Sequence, residues 1–145
     1  MRPYAAWTRT AVRNNTQVNP LKAIIKKKNN NKEFYTDEKC FINELSNTAD
    51  EPDSSIAQAR VEPGITTRWH RLKDISERYC IISGRGRIEV GNHPPQNVNT
   101  GDIVLIPPMC RQRITNTGSD DLIFLAICTP RFLNEAYEDI EDNPV

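Results

Sequence analysis

Histidine is scarce in this sequence, with only His70 and His93 among 145 residues. A site built on several imidazoles is thereby excluded. No uninterrupted apolar run approaches the roughly 20 residues a bilayer requires, so no membrane span is expected. No apolar signal-peptide core precedes the cysteines. Cys40, Cys80, Cys110 and Cys128 are too far apart for a zinc pattern such as two C-x-x-C pairs. Reduced thiols in a cytoplasmic protein are expected, with Cys80 and Cys128 as small buried hydrophobes. Cys110 stands two residues before Gln112, near the mouth of any pocket there, and no second histidine is placed to activate it. Internal repeats are also lacking.

Charge of one sign is missing at each end. Residues 1–32 carry eight Lys or Arg and no acid, and residues 133–145 carry five acids and no base. The middle, 33–132, has 11 basic and 14 acidic residues. That balance gives no electrostatic footprint for nucleic acid. Residues 1–32, with Lys26-Lys27-Lys28 and Asn29-Asn30-Asn31, read as a disordered basic tail that buries too little to offset its ordering entropy. Within it, Leu21 to Lys28 has room for a short helix. Asn134 to Asp142 has the makings of a short terminal helix. The 37% hydrophobic content suits one core and one domain.

What is present between the ends is a series of short strand-like runs separated by Gly, Pro and polar turns. They are Phe34 to Thr36, Cys40 to Leu45, Ile56 to Val61, Ile103 to Ile106, Arg111 to Thr115 and Leu122 to Cys128. Asp37-Glu38-Lys39 reads as a turn. This spacing predicts an all-β sandwich or barrel.

The stretch from Pro63 to Gly91 supplies the chemistry. Side chains alternate across a strand. Arg68, His70 and Leu72 are therefore expected on one face, Glu77, Tyr79 and Ile81 on another, and Gln112 with Ile114 on a third. If these faces converge, an imidazole and a carboxylate share a pocket. A buried carboxylate needs compensation, which a metal ion or the guanidinium of Arg68 would supply. Tyr79 is expected inward beside Glu77, placed to orient a ligand, donate a proton or simply pack. Trp69, Arg111 and Arg113 should face the other way, and Asn116 should fix a turn. His93, in a Pro-rich loop, reads as a surface residue.

Gly64, five residues, His70-x-Leu72, four residues, Glu77, six residues and Gly84 follow one another here. This pattern resembles the first motif of the cupin family, with Leu72 where the second histidine belongs. Gly101, Pro107 and Asn116 match the second motif, with Met109 replacing a glycine and Gln112 replacing a histidine. The resemblance covers about residues 34–132 and implies a double-stranded β-helix, or jelly-roll barrel.

The resemblance further implies a divalent metal ion (Mn, Fe or Zn) held by His70, Glu77 and Gln112, with Fe or Mn better suited to so open a set. With the strand faces above, Glu77 and Tyr79 are the expected catalytic groups, and Arg68, His70 and Gln112 the expected ligand-binding ones. The later half looks most like small phosphomannose-isomerase-like cupins, which implies chemistry on a sugar phosphate or similar small polar molecule. The alternative is a non-catalytic binding or sensing cupin without a metal, which Leu72 and Gln112 favour. Expected partners are a small-molecule ligand and a second copy of the chain; nucleic acid and membrane are not expected.

Overall fold

The structure, a computed structural model, describes residues 21–145. The part of the basic tail in residues 1–20 lies outside them. Among the described residues the regular structure is all β apart from two short 3-10 turns. The strands are β1 (Phe34–Tyr35), β2 (Phe41–Ser46), β3 (Ser55–Val61), β4 (His70–Leu72), β5 (Ser76–Ser83), β6 (Arg85–Val90), β7 (Gln96–Asn99), β8 (Ile103–Ile106), β9 (Gln112–Asn116), β10 (Leu122–Thr129) and β11 (Tyr137–Asp139). They form a six-stranded sheet, β1-β2-β3-β10-β5-β8, and a five-stranded sheet, β11-β4-β9-β6-β7. All the pairings are antiparallel. The expected double-sheet barrel is what the chain forms.

Alternation does the sorting. In β5, Glu77, Tyr79 and Ile81 are buried while Ser76, Arg78 and Cys80 are less so. In β9 the buried residues are Gln112, Ile114 and Asn116. Ile81, Leu122 and Phe124 from one sheet meet Ile88, Val98 and Ile114 from the other in one core. The turn between β5 and β6 needs Gly84: its φ is +83°, and an added Cβ would stand 2.6 Å from the Asp121 carbonyl oxygen. Asn116 fixes a turn as expected. Its Nδ2 donates to the Val61 and Asp120 carbonyls, both at 2.8 Å, and its Oδ1 accepts from Gly118 N–H.

Three expectations are corrected. Leu21 to Lys28 forms no helix. Instead Lys26 donates to Ser46 and Thr48 and Lys28 to Gln58, while the Asn29 carbonyl accepts from buried Asn43. Eight residues are too few for an isolated helix to be stable on propensity alone, and these contacts hold the segment extended. Nor does the acidic C-terminal segment form an α-helix. After a 3-10 turn at Asn134–Ala136 it becomes β11, which satisfies the edge of β4 through Tyr137–Leu72, Glu138–Arg71 and Asp139–His70 pairings. Cys80 is half-buried on the outward side of β5, whereas Cys128 is buried.

Candidate functional site

A cavity of about 350 Å³ lies between the sheets. Strands β2, β3, β5 and β10 line it from one sheet and β4 and β11 from the other. Three of its ionisable groups, Glu38, His70 and Glu77, reach it from three different elements.

Glu38 comes from the turn between β1 and β2. Thr36 and Cys40 close that turn through Thr36 N–H to the Cys40 carbonyl at 2.9 Å. Lys39 takes a left-handed φ of 72°, uncommon for a side-chain-bearing residue. Arg68 N–H fastens the turn by donating to the Glu38 carbonyl at 3.1 Å. Glu38 Oε1 then lies 3.4 Å from His70 Nε2.

His70 opens β4 and is 2% exposed. Its Nδ1 stands 2.8 Å from the Arg68 carbonyl oxygen. A carbonyl only accepts, so Nδ1 carries a proton and Nε2 is the nitrogen turned to Glu38. Tyr137 of β11 stacks on the imidazole, with centroids 5.3 Å apart and 20° between planes.

Glu77 comes from β5. Gln112 sits opposite His70 in the β4–β9 pairing and crosses the barrel to donate from Nε2 to Glu77 Oε1 at 2.9 Å. The Cys128 thiol approaches Glu77 Oε2 at 3.6 Å. Gln112 Oε1 is buried without a hydrogen-bond partner among the described residues.

Burial raises the Glu77 carboxyl above its ordinary value, against the pull of His70; the Glu38 charge adds to the rise, and the Gln112 and Cys128 hydrogen bonds oppose it. Burial raises Glu38 as well, again opposed by His70. The same cause pushes Cys40 up to about 12 and Tyr79 well above the usual phenol range. These thiol and phenol groups remain protonated near neutral pH, so Cys40 is no nucleophile. The cavity therefore presents a close Glu38–His70 pair and a second carboxyl that burial favours in its neutral form.

A family model for the cupin domain matches residues 57–128. An uncharacterized protein of Methanocaldococcus jannaschii is 33% identical over 87 residues, 60% of this chain and 69% of that one. The chain belongs to the cupin superfamily. Among solved structures, a Klebsiella pneumoniae protein with a double-stranded β-helix domain aligns at TM-score 0.63 and 19% identity, over 75% of this chain and 90% of that one. A Streptomyces nucleoside dehydratase aligns at TM-score 0.66 and 14% identity, over 81% of this chain and 92% of that one.

Measured against the cupin metal motif, the donors of this chain fit poorly. Leu72 offers no ligand atom, and Gln112 turns its amide N–H₂ rather than its oxygen to Glu77, filling the side of the carboxylate an ion would take. His70 spends its ring nitrogens on Arg68 and Glu38. Among the described residues no group of three His, Cys, Asp or Glu is arranged to hold a metal ion. Of the set expected to bind one, Gln112 is hydrogen-bonded to Glu77, while His70 turns its ring nitrogens to the Arg68 carbonyl and to Glu38.

His70, Glu77 and Gln112 thus lie together, with Tyr79 buried nearby against Phe124 at 4.3 Å between ring centroids. Arg68 does not join them, which corrects its expected inward position. It precedes β4, so strand alternation does not extend to it, and its guanidinium pairs outside with Asp139 at 2.6 and 3.3 Å. Trp69 carries the Arg111 and Arg113 guanidinium groups over its ring, 5.0 and 4.5 Å from the centroid. His93 is exposed. Sequence reasoning missed Glu38 and Tyr137. Glu38 sits in a polar triplet indistinguishable from an ordinary turn, and Tyr137 lies in a segment whose acids suggested a helix.

Proposed function

We propose that this cupin binds a small polar organic molecule in the barrel cavity and acts on it by proton transfer, without a resident metal ion. The observation that carries this reading is the Gln112–Glu77 hydrogen bond across the barrel beside the Glu38–His70 pair. An amide already compensates the carboxyl that a metal would otherwise need to neutralise. Nε2 of His70, with Glu38 behind it, is the group placed to take or return a proton, and Glu77 is the group placed to give one. Tyr79, held as a phenol, serves as a hydrogen-bond donor to the ligand. The sugar-phosphate chemistry implied by the resemblance has less support, because among the described residues no Lys or Arg lines the cavity.

A thermal-shift screen of small polar metabolites, run with and without a chelator, tests the reading. Stabilising compounds should stabilise equally in both conditions and lose their effect in His70→Gln. A ligand that binds only when a divalent ion is added would sink it. Two copies are further proposed to pair through the outer face of the six-stranded sheet, where Ile103 and Leu105 are exposed.

A further inference from the structure

The charge inventory of the cavity is one-sided. Asp37, Glu38, Glu44 and Glu77 line it; among the described residues no Lys or Arg does, and His70 is the one basic side chain. Arg131 is held from outside the lining, with its Nε donating to Asn47 Oδ1 at 2.9 Å. Beside the carboxylates stand aromatic rings: Tyr79 packed on Phe124, and Tyr137 stacked on His70. Such rings present negative π faces. An anionic ligand entering here would lose its hydration and meet several carboxyls and ring faces, with His70 alone among the described lining residues to offset them. A cation would meet carboxylates and ring faces together.

Resting on the cavity reading above, we propose that the molecule this site takes is a small organic amine, bound as an ammonium cation between Glu38 and Glu77 against the aromatic wall. A bare metal ion fits these donors poorly, since it needs several converging ligands. An ammonium group asks less: one or two carboxylates and a ring face suffice, and its organic part matches the apolar remainder of the lining, which includes Ile42, Ala59 and Leu72.

Three probes of nearly equal shape and different charge decide the matter by calorimetric titration of the full chain. They are choline, its uncharged isostere with carbon in place of nitrogen, and the anion tert-butylacetate. Choline is expected to bind at least about tenfold more tightly than the uncharged isostere, with tert-butylacetate undetectable. Glu38→Gln and Glu77→Gln should each weaken choline about tenfold and leave the uncharged isostere unchanged. The comparison among probes uses the unaltered protein, so it stands even if a variant fails to fold. Equal or tighter binding of the uncharged isostere or the anion overturns the cation inference while leaving the cavity as a binding site. Choline binding that neither variant weakens also overturns it, because the charge would then be held elsewhere. If no probe binds, the inference falls, and the metabolite screen decides separately whether the cavity binds anything.

Discussion

Glu77 and Glu38 act in opposite directions on stability from the paired surface carboxylates. Burial raises both above the ordinary value of 4.5, so the folded chain holds protons that the unfolded chain has released. Their contribution to stability is fully present below that value and is lost as pH rises from it through the raised one. Glu33, hydrogen-bonded by Arg60, and Asp139, hydrogen-bonded by Arg68, are lowered. Their contribution is present above the ordinary value and is lost as pH falls below it. Urea unfolding across pH should therefore show stability declining from about pH 4.5 upward, and Glu77→Gln should flatten part of that decline. An unchanged slope in the variant would mean that Glu77 is ionised in the folded chain at its ordinary pH.

The replaced motif positions make a second residue-scale prediction. Leu72→His with Gln112→His restores two imidazoles and removes the amide from Glu77. The double variant should gain affinity for Mn(II) that the parent lacks, read by calorimetry. Leu72→His alone should gain less, since Gln112 still occupies Glu77 Oε1. Adding Glu77→Gln to the double variant should abolish the gain. If the double variant binds no metal, His70 and Glu77 do not converge on one point.

At the scale of elements, the position of His70 depends on a strand of three residues. β4 pairs with β9 only at His70–Gln112, while β11 covers its other edge along all three residues. Trp69 N–H also donates to Glu141 Oε2, and Ile140 N–H to the Trp69 carbonyl. Deleting residues 133–145 should lower the melting temperature by more than about 5 °C, on a scale of roughly 3 °C per kcal/mol for a chain of this size. It should also abolish ligand binding, because Tyr137 leaves the imidazole. Arg68→Ala breaks only the exposed pair with Asp139 and should cost much less. If the deletion is as mild as Arg68→Ala, β4 is held by the rest of the barrel.

This dependence also explains what was legible in the sequence. The period-two burial of β5 and β9 placed Glu77, Tyr79 and Gln112 correctly, because those strands are long and half-buried. Arg68 was misplaced because the strand starts two residues later. Glu38 was invisible because a turn, with no periodicity of its own, delivers it. β11 was invisible because its reason to be a strand is an unpaired edge far away in sequence, which no local window contains.

At the scale of the molecule, the outer face of the six-stranded sheet breaks the usual rule that a solvated sheet face is polar. Across it, Leu125, Cys80 and Ile103 stand in register, and beside them Ile127, Arg78 and Leu105. Ile103 is 56% exposed and Leu105 71% exposed, and both lie on β8, which has a free edge. Such an apolar row on an unpaired edge invites a partner, and a second copy presents the same row by two-fold symmetry. The proposed homodimer should appear by sedimentation at micromolar concentration. Leu105→Lys puts a charge at the middle of the row and should give a monomer with nearly unchanged melting temperature at low concentration, because the side chain is already in water in the single chain. Arg87→Glu, on the exposed side of β6 in the other sheet, should leave the dimer intact. If Leu105→Lys remains dimeric while Arg87→Glu dissociates, the copies meet through the five-stranded sheet, and the apolar row on β8 serves some other contact.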